Sequence, residues 1–182
     1  MTARKIIATP LGLYAFVLAA AVVILDQLSK WWMLDGLHLP ERGQIPVLPI
    51  FRLTMVMNQG VSYGLLRASN DLQRYLLVAL AAGVVAFLIF WVRRADRPLF
   101  ATALGLVIGG AIGNNLIDRV RIGWVIDFLD FSGLGFPWVS NLADSAICVG
   151  VVLLLLDSLF APKEAPVKAP ENAPENVTDE PA

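Results

Sequence analysis

The sequence predicts an all-α integral membrane protein with four transmembrane helices and a small β-element between the first two. Three observations support this fold class. Of the 182 residues, 57% are hydrophobic and only 16% are charged, with a mean hydropathy of +0.68, whereas about a quarter of a soluble domain is charged. Four apolar runs are long enough to cross a bilayer. The polar stretch between the first two runs contains short segments of β-type composition.

Hydropathy places the four spans at residues 11–32, 75–92, 99–117 and 142–160, within a membrane domain of residues 1–160. The basic N-terminus and the first apolar run also fit a secretory signal peptide. A helix that continues through Lys30 to Trp31 and Trp32 reaches membrane-spanning length and ends in aromatic residues typical of the interface. We therefore predict that the first run is a membrane span.

Two polar segments lie outside these spans. Residues 35–70 contain three prolines and a run of β-type composition, which predicts a small sheet or hairpin outside the membrane. Residues 161–182 hold five of the eleven prolines and little that can be buried, so we predict a disordered tail. Three arginines fall within residues 93–98, and their density places both termini in the cytoplasm.

The stretch from Gly109 to Asp144 carries four aspartates between two apolar runs. Ionisable groups near bilayer depth cost free energy unless they face a polar cavity or a partner, so they are functional candidates. The chain has one histidine and one cysteine, which disfavours a histidine-based metal site or a Ser-His pair and excludes an internal disulfide. A net charge of -1 gives no sign of nucleic-acid binding. Carboxylates remain as the catalytic groups, and no metal or cofactor is predicted.

Two carboxyl groups that share one proton can activate water and protonate a leaving nitrogen. Asp127 is enclosed by Val125, Ile126, Phe128 and Leu129, where desolvation raises the pKa of a carboxyl group. Residue types alone do not choose the two partners among Asp26, Asp118, Asp127, Asp130 and Asp144.

Local pairings offer simpler roles for several of these acids. Asn141 and Asp144 stand three residues apart where the fourth span begins, as an N-cap and its N3 residue do. Asp26 and Lys30 stand four residues apart on one helical face, which predicts an ion pair at the helix end.

Asp118 directly precedes Arg119 at the end of the third span. Acids are disfavoured near helix C-termini, so a capping role does not explain Asp118. We predict an ion pair or a hydrogen-bonded clamp between the two residues, which leaves the Asp118 carboxylate less free for chemistry.

Five segments resemble, in chain order, the successive motifs of the bacterial lipoprotein signal peptidases, also called signal peptidase II. These segments are Asp26-Gln27-Leu28-Ser29-Lys30, Asn58-Gln59-Gly60-Val61-Ser62-Tyr63, Gly110 through Asn115-Leu116-Ile117-Asp118-Arg119, Val125-Ile126-Asp127-Phe128 and Asn141-Leu142-Ala143-Asp144-Ser145. Five motifs in the right order over residues 26–145 make the resemblance highly specific, and the tail lies outside it.

The resemblance implies a four-helix aspartyl endopeptidase of the bacterial inner membrane. Both termini would be cytoplasmic, and the β-element would lie beside an active site on the extracytoplasmic face. The implied substrates are prolipoproteins that carry a diacylglyceryl group on a cysteine, and cleavage falls immediately before that cysteine. Membrane lipids would surround the enzyme, and nothing in the sequence demands more than a monomer.

By motif match, the resemblance assigns the catalytic pair to Asp127 and Asp144. It places Asn115, Arg119 and Asn141 around the pair, and Asp118, Asn58, Gly60, Asp26 and Lys30 at the remaining supporting or substrate-contact positions. Counting back from the Asp-Arg pair selects Asn115 as the motif asparagine, whereas counting forward from the glycines selects Asn114. We prefer Asn115, because the Asp-Arg pair is nearer the site.

Two other classes of function compete with this interpretation. A small proton-coupled transporter also uses intramembrane carboxylates as relays, although it should distribute them at several depths. A structural membrane scaffold with ion-paired helix ends predicts that replacing Asp127 affects stability more than activity.

Overall fold

The structure is a computed structural model that describes residues 9–60 and 71–160. Within these ranges, four helices are long and apolar enough to cross a membrane: Pro10–Gly36, Asp71–Val92, Pro98–Arg121 and Leu142–Phe160. The predicted fold class is therefore confirmed. The second helix begins before the predicted residue 75, and the third continues beyond the predicted residue 117. The predicted disordered tail, and residues 61–70 of the predicted β-element, lie outside the described residues.

Two of the four spans change their helical geometry along their length. The first consists of α1 (Pro10–Trp31) followed by a π-helical turn, Trp32–Gly36. The third consists of α4 (Pro98–Ala111), a π-helical segment (Ile112–Asp118) and the short α5 (Arg119–Arg121). The short α2 (Leu39–Arg42) follows the first span, α3 is Asp71–Val92, and α6 is Leu142–Phe160.

Glycines let the third span pack closely against its neighbours. A Cβ atom added at Gly105 or Gly109 would lie 2.8 Å or 2.7 Å from a backbone oxygen of α1, and one at Gly110 would lie 2.5 Å from a backbone oxygen of α6. Small residues allow such approaches, which is how helices associate in a bilayer without a hydrophobic driving force. As a result, α4 lies between α1 and α6 and brings polar residues of all three together.

The sheet has more strands than the sequence predicted. Among the described residues it contains β1 (Gln44–Leu48), β2 (Phe51–Asn58), β3 (Val125–Asp130) and β4 (Val139–Ser140), in antiparallel order β1-β2-β3-β4. The first two strands fall in the predicted β-element between the first and second spans. The other two come from the connection between the third and fourth spans, where no strand is predicted from the sequence.

The pairing of β2 with β3 positions Asp127. Val56 pairs with Asp127 and Asn58 pairs with Val125, so the last three residues of β2 lie against the first three of β3. Because side chains alternate along a strand, Ile126 and Phe128 face away from Asp127 and pack in an apolar cluster with residues that follow α1. This cluster anchors β3 to the end of the first span.

Candidate active site

Asp127 is almost fully buried, with 1% of its surface exposed. Its Oδ2 accepts a hydrogen bond from Asn58 Nδ2 at 3.0 Å, and its Oδ1 accepts one from Asn141 Nδ2 at 2.7 Å. Both oxygens of this carboxyl group are therefore held by amide donors from other elements, β2 on one side and the start of α6 on the other.

Asn141 joins Asp127 to Asp144. The backbone N–H of Asp144 donates to Asn141 Oδ1 at 2.8 Å, which confirms the predicted N-cap of α6. The Nδ2 group of the same fully buried side chain donates to Asp127. One asparagine thus performs the capping role and also links the two aspartates, so the simpler explanation of the Asn141 and Asp144 spacing does not exclude a role in the site.

The asparagine that contacts Asp144 is Asn114, not the preferred Asn115. Asn114 Nδ2 donates to Asp144 Oδ1 at 2.7 Å and to Asn141 Oδ1 at 3.3 Å. Asn115 Oδ1 instead accepts from Arg119 Nε at 3.1 Å. The preference for Asn115 was a count along the motif and carried no information on which side chain faces α6. Both asparagines lie in a π-helical segment, whose wider turns change which side chains share a face.

Arg119 connects the third span to the end of β2. Its Nη2 donates to the backbone oxygen of Gly60 at 2.6 Å, and Gly60 N–H in turn donates to Asn58 Oδ1 at 3.0 Å. Arg119 is 4% exposed, and its Nη1 is buried without a hydrogen-bond partner among the described residues. This arrangement orients Asn58 toward Asp127 and leaves Arg119 Nη1 without a partner in the part of the chain that the structure describes.

Asp118 pairs with Lys30 rather than with its neighbour Arg119, so the predicted Asp118–Arg119 clamp is wrong. Lys30 Nζ lies 2.7 Å from Asp118 Oδ2 and 2.7 Å from Asp26 Oδ2. The predicted ion pair between Asp26 and Lys30 is confirmed, but it is buried rather than interfacial. Consecutive helical residues point in different directions, which explains why Asp118 and Arg119 find separate partners.

The sequence does not indicate the contacts of two further polar residues in this region. Gln27 Nε2 donates to Asp118 Oδ1 at 2.8 Å and to Asp26 Oδ2 at 3.2 Å. Asn114 is the less favoured motif asparagine by sequence spacing. Gln27 stands within the first recognised motif, but nothing in its local sequence indicates a partner that is 91 residues away.

Asp130 lies outside this group of side chains. Its Oδ2 accepts from Thr54 Oγ1 at 2.7 Å, and its Oδ1 accepts from the backbone N–H of Ser132 at 2.9 Å. Hydrogen bonds from Ser132 and Thr54 lower the pKa of Asp130 to about 2. Because Asp127 and Asp130 are three residues apart on one strand, they face opposite sides of it. Asp130 is thus removed as a partner for Asp127.

Burial and the charge of Asp144 raise the pKa of Asp127 to about 7, despite hydrogen bonds from Asn58 and Asn141 that act the other way. A carboxyl group that titrates near neutrality beside a second carboxyl group can hold a proton that the pair shares. The pair can therefore supply a base and an acid at the same time. Within residues 9–60 and 71–160, no group of three or more His, Cys, Asp or Glu side chains is placed to hold a metal ion.

Comparisons with known proteins show the family of this chain. A family model described as signal peptidase (SPase) II matches residues 18–160. The chain belongs to the signal peptidase II family. The match spans all the polar residues described above, and it makes the protein a bacterial multi-pass membrane peptidase of the aspartic type.

Named relatives of the peptidase lead to the same family. The chain is 54% identical over 150 residues to the lipoprotein signal peptidase of Caulobacter vibrioides, covering 82% of this chain and 89% of that relative. It is 47% identical over 152 residues to the lipoprotein signal peptidase of Rhizorhabdus wittichii, covering 82% and 86%. A solved structure described as a bacterial membrane enzyme superposes with a TM-score of 0.70 at 27% identity, covering 85% of this chain and 94% of that chain.

These findings establish that the peptidase removes signal peptides from prolipoproteins. They do not support the transporter alternative. The carboxylates of the site, which that alternative treated as a relay, instead meet at the junction of the sheet with the third and fourth spans.

Proposed function

We propose that Asp127 and Asp144 are the catalytic pair of this aspartic endopeptidase. The single observation that carries the proposal is that one fully buried asparagine, Asn141, binds both carboxyl-bearing residues. Such a link holds two acids in a fixed relation, which is what a shared proton and a positioned water require. Asp144 is half-buried, so it offers the pair a route to substrate and water.

In the proposed reaction, the ionised member of the pair takes a proton from water as the water attacks the scissile carbonyl carbon. The protonated member donates a hydrogen bond to the carbonyl oxygen, where negative charge develops. The tetrahedral intermediate then collapses, the C–N bond breaks, and a proton passes from the pair to the leaving amine. The pKa of about 7 for Asp127 supports a pair that holds one proton near neutral pH.

The surrounding polar residues have positioning roles in this proposal. Asn58 and Asn141 hold Asp127, and Asn114 holds Asp144. Arg119 fixes the backbone of Gly60, and its Nη1, which has no partner within residues 9–60 and 71–160, supplies a donor for an oxygen of the substrate. This last assignment follows from chemistry, because a buried guanidinium N–H without a partner is costly unless a ligand satisfies it.

The proposed substrate is a prolipoprotein with a diacylglyceryl group on the cysteine that follows the scissile bond. The acyl chains would stay in the lipid while the peptide bond reaches the pair at the end of the spans. We place both termini in the cytoplasm and the site at the extracytoplasmic face of the bacterial inner membrane, in a monomer surrounded by lipid. The density of arginine within residues 93–98, at the opposite end of the spans, supports this orientation.

Purified protein in detergent micelles is expected to cut a diacylglyceryl-modified precursor immediately before the modified cysteine. The matched control is the same precursor without the lipid, which should be cut much more slowly because it lacks the chains that hold it at the membrane. Mass spectrometry of the products locates the cut. Equal rates with the two precursors would contradict the proposed lipid requirement while leaving the peptidase activity itself intact.

Cleavage is expected to decline on the alkaline side with a midpoint near pH 7, since Asp127 titrates at about that pH. Above this pH the pair loses its shared proton and with it the acid that assists the carbonyl oxygen. The measurement is kcat/KM between about pH 5 and 9. Asp130, with a pKa of about 2, contributes no step in this range. A rate that keeps rising through the upper half of the range would argue against Asp127 as a member of the pair.

A further inference from the structure

A buried cation that the proposed chemistry does not use lies beside the catalytic pair. Lys30 is 2% exposed, and its Nζ lies 2.7 Å from each of three oxygens: Asp26 Oδ2, Asp118 Oδ2 and Asn114 Oδ1. A lysine ammonium has three N–H donors and no acceptor. It donates hydrogen bonds to Asp26 and Asn114 and forms an ion pair with Asp118, so each of the three partners must present an oxygen to Lys30.

This requirement gives the Asn114 side chain a direction. The oxygen and nitrogen of a side-chain amide have nearly the same shape, so only the partners decide which way the group faces. With its Oδ1 fixed toward Lys30, Asn114 must point its Nδ2 the other way. There it donates to Asp144 Oδ1 at 2.7 Å and to Asn141 Oδ1 at 3.3 Å. If the amide were turned over, its own oxygen would face Asp144 Oδ1 and Asn141 Oδ1. Its NH2 group would face the ammonium of Lys30.

The ammonium is itself held in place by two carboxylates. Asp26 lies one helical turn before Lys30 on α1, and Asp118 lies at the end of the π-helical segment. Asp26 Oδ1 also accepts from the backbone N–H of Ala143 at 3.1 Å, at the start of α6. Space around Asp26 is tight, because a Cβ atom at Gly113 would lie 2.7 Å from Asp26 Oδ2. The lysine therefore has little freedom to move away from Asn114.

We propose that Lys30 is a positioning residue that holds the Asn114 amide in the one orientation that donates a hydrogen bond to Asp144. The inference rests on the proposed catalytic role of Asp144 and extends it to a cation on a different helix. Without the ammonium, Asn114 Oδ1 loses its donor, so the side chain is no longer held at both ends and its Nδ2 can move away from the Asp144 carboxylate. Asp144 would then lose its donor and its fixed carboxylate plane.

A double-mutant cycle tests whether Lys30 acts through Asn114. Lys30→Met and Asn114→Ala are each expected to lower kcat by about 10²-fold, the cost of a misplaced catalytic group, with KM for the precursor changed little. The double variant is expected to be no slower than Asn114→Ala alone, because residues that share one interaction are not additive. Additive losses, or a normal kcat in Lys30→Met, would overturn the inference.

Lys30→Met leaves two buried carboxylates without their cation, so folding needs its own check. The variant Lys30→Met/Asp118→Asn removes one carboxylate together with the ammonium and should lose kcat to the same extent. The matched control is Arg97→Met, which breaks a 2.8 Å ion pair to the buried Asp157, away from the catalytic pair. That control is expected to lower thermal stability and to keep kcat per folded molecule. A full kcat in the compensated variant would overturn the inference.

Chemical rescue tests whether Lys30 acts through its N–H donors or only through its positive charge. A cavity of about 210 Å³ has Gln27, Lys30 and Asp118 in its walls, so truncating Lys30 extends this cavity toward the position of the ammonium. In Lys30→Ala, methylammonium is expected to restore part of the lost kcat, because it has N–H donors for Asn114. Tetramethylammonium carries the same charge and no N–H donor, so it should restore none. Equal recovery with both cations would overturn the inference.

Asp144→Asn, assayed in parallel, distinguishes failure of this inference from failure of the proposed function. If Asp144→Asn is inactive while Lys30→Met keeps a normal kcat, only the role of Lys30 is wrong. If Asp144→Asn cuts the precursor normally, the catalytic assignment itself is wrong, and the inference falls with it.

Discussion

Replacing Asp144 or Asp127 by asparagine is expected to abolish cleavage of the lipid-modified precursor. Each substitution keeps the shape of the side chain and removes the group that binds and releases a proton. The loss should be roughly 10²- to 10⁴-fold or larger, the range for a general acid or base. Combining the two substitutions should cost little more than either alone, because the two carboxyl groups act as a unit. The measurement is the single-turnover rate with purified, folded variants.

Stability measurements on the same variants separate a catalytic pair from a structural scaffold. The pKa of Asp127 is raised to about 7 in the folded protein, whereas an aspartate in an unfolded chain titrates near 3.9. The folded state therefore binds the proton more tightly, and the stability this contributes is present below about pH 4 and is lost as the pH rises to about 7. Asp127→Asn should remove this part of the pH dependence.

Two outcomes would contradict the assignment. Substantial turnover by a folded Asp127→Asn or Asp144→Asn variant would show that the pair is not required. A variant that keeps the wild-type rate but unfolds at a lower temperature would instead favour the scaffold interpretation.

Substitutions at Asn141 are expected to separate its two roles. Asn141→Ser keeps a good N-cap for α6 but is too short to reach Asp127, whereas Asn141→Ala removes the cap as well. Both variants should lose about 10²-fold in kcat, because Asp127 loses the 2.7 Å hydrogen bond that positions it. The alanine variant should also be less stable than the serine variant by about 1 kcal/mol. Cleavage rates and thermal unfolding in micelles measure the two effects separately.

Of the two substitutions, Asn141→Ser tests whether Asn141 has a role beyond capping α6. If Asn141→Ser retains full activity, Asn141 serves only as a helix cap, and the link between Asp127 and Asp144 has no catalytic consequence. If both variants are equally stable, the capping bond to the Asp144 N–H contributes less than the 2.8 Å geometry indicates.

The sequence alone predicted the helical part of the fold because the signal for a membrane span is local. About 20 consecutive apolar residues suffice to cross a bilayer, wherever the rest of the chain lies. The same local reasoning identified Asp127 as a carboxyl group among bulky apolar neighbours, and Asn141 as an N-cap. The strands β3 and β4 were missed, because the segment around Asp127 is short and its pairing partner β2 lies about 70 residues earlier in the chain.

Partner choice among the polar residues depended on the tertiary structure. Sequence proximity suggested that Asp118 would pair with Arg119. Because α1 packs against the third span, Asp118 instead forms an ion pair with Lys30. Because side chains alternate along β3, Asp130 faces away from Asp127 and contacts Thr54. In both cases the deciding contact joins residues far apart in the chain, where local spacing carries no information.

Composition and spacing thus determined that this is a four-span membrane protein whose chemistry rests on carboxylates, and motif resemblance selected Asp127 and Asp144 from five candidates. Only the tertiary structure decided which asparagine faces Asp144, because this contact joins the π-helical segment of the third span to the start of α6. The tertiary structure also brings Lys30 Nζ into hydrogen-bond contact with Asn114 Oδ1. Hydropathy acts over a single segment, whereas the direction of a buried hydrogen bond is set by partners from several helices.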